Sequence, residues 1–283
     1  MFYYPSVRDL PMSEEEFRLL RDFIALHFGL NYDDSKVSLL KNRLLPRVTA
    51  LSLASFDEYY HFLRFNPARR EEWRRMVSHL TNNETYFFRE QKQLDIFTDK
   101  LLPMFAERRA GPLRILCAGC SSGEEPYSLS ILAQEKLGLM PRVKLEITAM
   151  DIDEKVLEKA RLGQYAKNSF RGTDPLMIHR YFQNQGEEKQ VRESVRKPVT
   201  FQWANLVDQS TYNKIGRFDI IFCRNVLIYF SDDTIRRVIE GLSHHLADDG
   251  YLFLGHSESL LRITDSFEAE RHAGAIVYRK VLI

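Results

Sequence analysis

The segment Gly119-Cys-Ser-Ser-Gly123 follows a short apolar run, Leu113 to Cys117, and leads into a stretch that reads as a helix from Glu124 to Leu137. Strand, glycine turn and helix in that order form a nucleotide-binding signal. The dinucleotide version needs G-x-G-x-x-G, with the pyrophosphate resting on the helix N-terminus. That spacing is absent here, and Glu124 and Glu125 occupy the first helical turn. Two carboxylates there satisfy the helix dipole themselves and repel a pyrophosphate. A cofactor without phosphates and with a positive sulfonium suits this environment better, and S-adenosylmethionine is such a cofactor. Asp151 ends the next apolar run, where an acid accepts hydrogen bonds from ribose hydroxyls. The plainer reading is a capping pair of glutamates on an ordinary α/β turn. Taken together, the features favour methyl transfer over hydride transfer.

The elements that must position these residues fall into two textures. Ser13 and Glu16 form a capping box ahead of Phe17, Leu20, Phe23, Ile24 and Phe28 at helical spacing, and Gly29 stops the run. A second helix is expected from Asp33 or Asp34 to Leu51, kinked or broken at Pro46. Ser55 caps a third, and Pro67 opens a fourth carrying Trp73, Met76, Val77 and Leu80. No strand pattern precedes residue 110, so the first part reads as a small helical domain. From Leu113 strands and helices alternate. Strands are expected at Leu113–Cys117, Lys144–Met150, Phe218–Cys223 and Tyr251–Leu254, with helices from Asp153 to Leu162 and from Asp232 to Leu246. Two last strands, near Phe267–Arg271 and Ala275–Val281, join at His272-Ala-Gly274. The pattern implies a parallel sheet covered on both faces with an antiparallel edge. Gly163 to Val199 is polar and reads as an insertion.

The 283 residues are 44% hydrophobic and 28% charged, with a formal net charge of +1. This is ordinary globular composition, neither disordered nor a nucleic-acid-binding polycation. Three cysteines do not read as a disulfide framework, and Cys117-x-x-Cys120 lacks the further ligands of a zinc site. Met1 to Pro11 lacks the apolar run of a signal peptide, and no segment reaches the ~20 apolar residues of a membrane helix. A cytoplasmic location is expected.

Beyond the glycine turn, six segments carry a resemblance: Thr81-Asn-Asn-Glu-Thr-Tyr-Phe-Phe-Arg-Glu90, Cys120-Ser-Ser-Gly-Glu-Glu-Pro-Tyr-Ser128, Asp151-Ile-Asp153, Asn205-Leu206, Cys223-Arg-Asn-Val-Leu-Ile-Tyr-Phe230 and Gly255-His-Ser-Glu258. In these the chain resembles the chemotaxis receptor methyltransferases of the CheR family. The resemblance implies a class I methyltransferase fold, α/β, with a small all-α N-terminal domain and a small β insertion. The implied division is a receptor-docking helical domain at 1–80, a linker and helix at 81–110, and a methyltransferase domain at 111–283 with the insertion at about 163–199. It also implies transfer of a methyl group from S-adenosylmethionine to receptor glutamates, leaving S-adenosylhomocysteine. By the same resemblance Asn83, Thr85 and Arg89 reach the cofactor, Glu125 rather than Glu124 contacts its amino group, and Asp151 holds the ribose. Asn205 and Leu206 frame the adenine, Asn225 and Val226 line the pocket, and Tyr229 points at the methyl group. The His-Ser-Glu run reads as structural.

A glutamate with pKa ~4.3 is ionised at neutral pH, so no general base is needed. Positioning then dominates catalysis, with Arg89 guiding a carboxylate and Tyr229 donating a hydrogen bond. Asn-Val-Leu-Ile-Tyr is also reminiscent of the Asn-Pro-Pro-Tyr motif of nucleic-acid amino-methyltransferases, but its prolines are missing. That alternative, and a receptor-binding member without catalysis, stay open at this point. Lys36, Lys41, Arg43 and Arg47 give the second helix a basic face suited to an acidic receptor helix, or simply to solvent. The expected partner is a chemotaxis receptor, not nucleic acid, and the chain is expected to act as a monomer. Some family members grip a receptor C-terminal peptide on the insertion by strand addition. The short Gln183–Gln190 loop with its single glycine favours a member that does not.

Overall fold

The computed structural model describes residues 10–108, 111–138, 144–272 and 274–281. The expectations for Met1 to Pro11 and for Ala273 at the last turn lie outside it, Leu10 and Pro11 excepted. The chain divides into two compact units, Met1–Asn82 and Asn83–Ile283.

The first unit is helical: α1 Glu14–Phe28, α2 Val37–Ala50, α3 Phe56–Phe65 and α4 Arg69–Leu80. The Ser13 capping box forms as expected, and Gly29 closes α1 in the left-handed conformation. Ser55 caps α3 through the Glu58 N–H. Helix α2 does not break at Pro46. Leu44 and Val48 on either side are fully buried, and their packing outweighs the single hydrogen bond that proline removes. The basic face expected on α2 is largely turned inward. Arg47 grips the buried Glu72 with two hydrogen bonds, 2.9 and 2.6 Å, and Tyr59 donates to the same carboxylate at 2.7 Å. Arg43 donates to the Leu80 carbonyl and to the Tyr32 hydroxyl. Lys36 pairs with Asp33.

In the second unit, α5 Gln91–Ile96, a π-helical turn Phe97–Leu101 and α6 Leu102–Arg108 lead into the sheet. The succession is β1 Leu113–Ala118, α7 Glu124–Leu137, β2 Leu145–Asp151, α8 Glu154–Leu162, β3 Gln164–Tyr165, α9 Pro175–Tyr181, β4 Phe182–Gln185, β5 Glu188–Val191 and α10 Glu193–Arg196. Then come β6 Val199–Trp203, α11 Gln209–Tyr212, β7 Phe218–Cys223, α12 Asp232–His245, β8 Leu246–Leu254, β9 Phe267–His272 and β10 Ala275–Lys280. The main sheet has the order β6-β2-β1-β7-β8-β10-β9. Its first five strands are parallel, and β10 runs antiparallel to both β8 and β9. Chain order reverses between β1 and β7, so the glycine turn after β1 lies at the topological switch point where open α/β sheets bind ligands.

Several bounds shift by a few residues, α4 starting at Arg69 rather than Pro67 and β2 spanning Leu145–Asp151 rather than Lys144–Met150, and two differences are larger. β8 begins at Leu246, several residues before Tyr251, with a register irregularity opposite Phe218/Ile220 that absorbs the extra length. β6 was not anticipated: Val-Thr-Phe-Gln-Trp is too short and half-polar to stand out behind a polar segment. The insertion forms a three-stranded antiparallel sheet, β3-β5-β4, accompanied by α9 and α10. Its core is aromatic. Phe87 stacks on Phe170 at 5.2 Å and meets Tyr165 and Phe182 edge-on, each at 4.9 Å. The Phe87 N–H is given to the Ser169 carbonyl. The insertion thereby fixes the segment from Asn83 to Glu90 beside the sheet.

Candidate active site

The turn after β1 is built from left-handed residues: Gly119 (φ 82°), Ser121 (φ 50°) and Gly123 (φ 92°). A side chain at Gly119 is excluded because its Cβ would lie 2.3 Å from Val226 Cγ2. This close approach joins the turn to the loop after β7. Four amides of the turn are already spent. Gly119 and Cys120 donate to the Met150 carbonyl, Gly123 donates to Cys120, and Ser121 donates to Asp151 Oδ2 at 2.8 Å. What the turn offers is carboxylate, and that donor set fits a cationic adenosyl compound rather than a dinucleotide.

The two glutamates of α7 part company. Glu124 is fully buried and accepts the Ser122 and Ser169 hydroxyls at 2.7 and 2.9 Å, so its role is to tie the insertion to the turn. Glu125 keeps 15% of its side chain accessible and accepts from Arg224 Nη1 at 2.9 Å. Burial raises its carboxyl pKa, with Arg224 opposing the rise. Asp151 is 8% exposed and accepts the Ser121 and Asp153 N–H groups. Burial pushes its pKa up to about 6 despite those hydrogen bonds. Asn83 lies at this corner, its amide donating to Asp153 Oδ2 at 2.8 Å and its carbonyl accepting from Ser121 Oγ.

Arg224 was not singled out from the sequence. It is 7% exposed and bridges Glu125, the Arg89 carbonyl (2.7 Å) and Glu90 (3.2 Å). A buried guanidinium is tolerable only when its charge is matched by partners of this kind. Burial would raise the Glu90 pKa, but Arg224 and hydrogen bonds from His256 and Asn225 leave it lowered. The signal for Arg224 was available, since an arginine directly after a fully buried parallel strand must find acids inside the fold.

The loop after β7 is held by an unexpected clamp. Glu258 Oε1 accepts the N–H groups of Val226, Leu227 and Ile228 at 2.9, 2.7 and 3.2 Å. Its Oε2 accepts those of Asn225 and Gly255 at 2.8 and 2.6 Å. Asn225 takes the left-handed conformation, φ 59°. Tyr229 ends the short 3₁₀ turn that this carboxylate caps. Asn205 and Leu206 are buried after β6, with the Asn205 side chain accepting the Val207 N–H. Thr85 and Arg89 are half-buried. The Arg89 guanidinium donates to the Glu84 carbonyl and lies 5.9 Å from the centre of the Tyr86 ring. Asn83, Asp151, Glu125, Asn225 and Val226 thus fall into one connected network around the glycine turn. Arg89 joins it through its backbone, while its guanidinium bonds within its own segment.

Residues 83–276 match the family described as CheR methyltransferase, SAM binding domain, and residues 15–81 match CheR methyltransferase, all-alpha domain. The chain is similar to chemotaxis protein methyltransferase 2 of Vibrio cholerae, 36% identical over 276 residues, covering 97% of this chain and 96% of that one. It is 38% identical over 278 residues to the chemotaxis protein methyltransferase of Vibrio parahaemolyticus, with 95% and 98% covered. It is 35% identical over 262 residues to that of Escherichia coli, with 91% and 89% covered. No described helix is long and apolar enough to cross a membrane. With a class I methyltransferase sheet, an acid-lined turn in place of a phosphate cradle, and both family domains matched in order, the chain belongs to the CheR family of S-adenosylmethionine-dependent methyltransferases.

Proposed function

We propose that this protein methylates glutamate side chains of chemotaxis receptors, forming methyl esters, and that it does so as a monomer in the cytoplasm. The observation that carries the reading is a glycine turn that spends four of its amides internally and is flanked by the acids Asp151 and Glu125. S-adenosylmethionine supplies an electrophilic methyl group on a cationic sulfur. Asp151 is suited to accept ribose hydroxyls. Glu125, held by Arg224, faces the amino-acid portion, and Asn83 with Thr85 closes that side. Asn205 and Leu206 border the adenine, and Asn225 and Val226 line the pocket. An acceptor carboxylate arrives ionised, so the chain needs to orient it rather than deprotonate it. Arg89 is the guiding cation, and Tyr229, on the loop clamped by Glu258, donates a hydrogen bond near the reacting oxygen. Opposite charges cancel as the C–S bond breaks and the C–O bond forms, which a dry site does not penalise as water does.

In this reading the helical unit docks the receptor, using Lys36 and Lys41 of the basic face. The inward contacts of Arg43 and Arg47 make those two residues structural. The test is transfer of tritiated methyl to a receptor cytoplasmic fragment. A glutamyl ester releases methanol in mild base, whereas a methylated amine on nucleic acid does not. Tyr229→Phe is expected to lower kcat with little change in S-adenosylhomocysteine affinity. Label that survives base, or no label at all, refutes the assignment.

A further inference from the structure

A groove of about 550 Å³ opens between the start of α5, the end of β8 and the β9–β10 hairpin. It lies beside the site, because Glu90 lines it while also pairing with Arg224. Its two acids have no charge to spare. Glu90 is committed to Arg224, Asn225 and His256, and Glu258 to five backbone amides. Its cations are in the opposite condition. Lys92 and Arg271 are exposed, and among the described residues neither has an acidic partner. The nearby Glu270 does not neutralise them, being bonded to Lys100, Arg279 and Tyr251. Lys92 lies across the hairpin at Gly274, where a Cβ would come within 2.5 Å of its side chain. Arg271 stands opposite Ile276, which is 41% exposed and supplies an apolar surface in the same groove. The exposed His256 flanks the same opening.

We propose that this groove docks the acidic stretch of receptor next to the accepting glutamate, with Lys92 and Arg271 holding its carboxylates and Ile276 receiving one apolar side chain. The proposal rests on the glutamate-methylating function given above. A segment that carries methyl-accepting glutamates is anionic by its own chemistry, and the groove presents unspent positive charge at the edge of the sheet where the β7 loop presents Tyr229.

The experiment uses the full chain and a fluorescently labelled receptor cytoplasmic fragment, with Lys92→Glu/Arg271→Glu and the milder Lys92→Ala/Arg271→Ala. The reversal is expected to weaken fragment binding by at least about tenfold and the alanine pair by about threefold to tenfold. Wild-type binding should weaken with added salt more steeply than that of either variant. Affinity for S-adenosylhomocysteine should be unchanged in both. Equal fragment affinity in wild type and reversal overturns the groove, even where the wild type methylates the fragment normally. Fragment binding that is lost on reversal, in a protein that transfers no base-labile methyl, supports the groove and removes the proposed reaction instead.

Discussion

Glu258→Ala would remove the acceptor of five backbone N–H groups while leaving all five donors in place. The Ile228 amide is at the surface, where water replaces the lost partner at small cost. The other four lie in partly buried positions. At ~1 kcal/mol per orphaned donor, the loop loses on the order of 4 kcal/mol. The residue most exposed to that loss is Asn225, whose left-handed backbone is held from both the N–H and the side chain. If the whole loss is felt where Tyr229 meets the reacting groups, turnover falls by up to ~10³-fold at 1.36 kcal/mol per decade. Glu258→Gln is the sharper test. With its amide oxygen toward Val226, Leu227 and Ile228, its NH₂ must face the Asn225 and Gly255 donors, so two bonds are lost and donors oppose each other. That predicts a fall of ~10²-fold in kcat with a much smaller change in S-adenosylhomocysteine affinity. The assay is tritium transfer to a receptor fragment, read as base-released methanol, beside calorimetry with S-adenosylhomocysteine. A Gln variant with kcat within about threefold of wild type would show that Tyr229 does not depend on this clamp.

Three further outcomes follow from the geometry. Affinity for S-adenosylhomocysteine should decline as pH falls through about 6, because Asp151 then gains a proton and loses the charge that attracts ribose hydroxyls; Asp151→Asn should bind weakly at all pH values and flatten the profile, and an unchanged profile would remove Asp151 from the cofactor site. Arg47→Met should destabilise the helical unit by about 3–5 kcal/mol in urea unfolding, since it strands the buried Glu72, and a loss below about 1 kcal/mol would contradict the inward placement. Titration with C-terminal receptor peptides should show no micromolar binding at the insertion, whose β4–β5 hairpin closes tightly over Gly186; competition by changes within residues 183–190 would reverse that expectation.

Periodicity and capping located most elements here because local chemistry and tertiary packing agree. Ser13, Ser55, Asp153 and Ser231 cap helices that begin where their side chains require. The choice of cofactor was legible for a related reason, since two acids in the first helical turn disfavour a pyrophosphate. What escaped was long-range satisfaction of charge. A basic run on α2 looks the same in sequence whether its cations meet solvent or, like Arg47, a glutamate 25 residues away. Glu258 was opaque, and Arg224 signalled only that it must find acids, not which ones. One sits in a polar loop and the other after a strand, and their roles exist only once β7, β8 and the Arg89–Glu90 segment are adjacent. Of two neighbouring glutamates, only the structure shows how each is bonded: Glu124 by serine hydroxyls, Glu125 by Arg224.

All three cysteines are buried in the second unit: Cys117 near the end of β1, Cys120 within the glycine turn and Cys223 as the last residue of β7. Burial raises each thiol pKa well above its ordinary value, so the native state offers almost no thiolate to a reagent. Alkylation must wait for an opening of the sheet or the turn, and its rate becomes a native-state clock for those openings. Because Cys120 sits in the turn and Cys223 at the root of the clamped loop, two halves of the site carry separate built-in reporters. A ligand that locks only the turn would protect Cys120 and leave Cys223 reacting at its former rate, whereas one that tightens the whole switch point would slow both together.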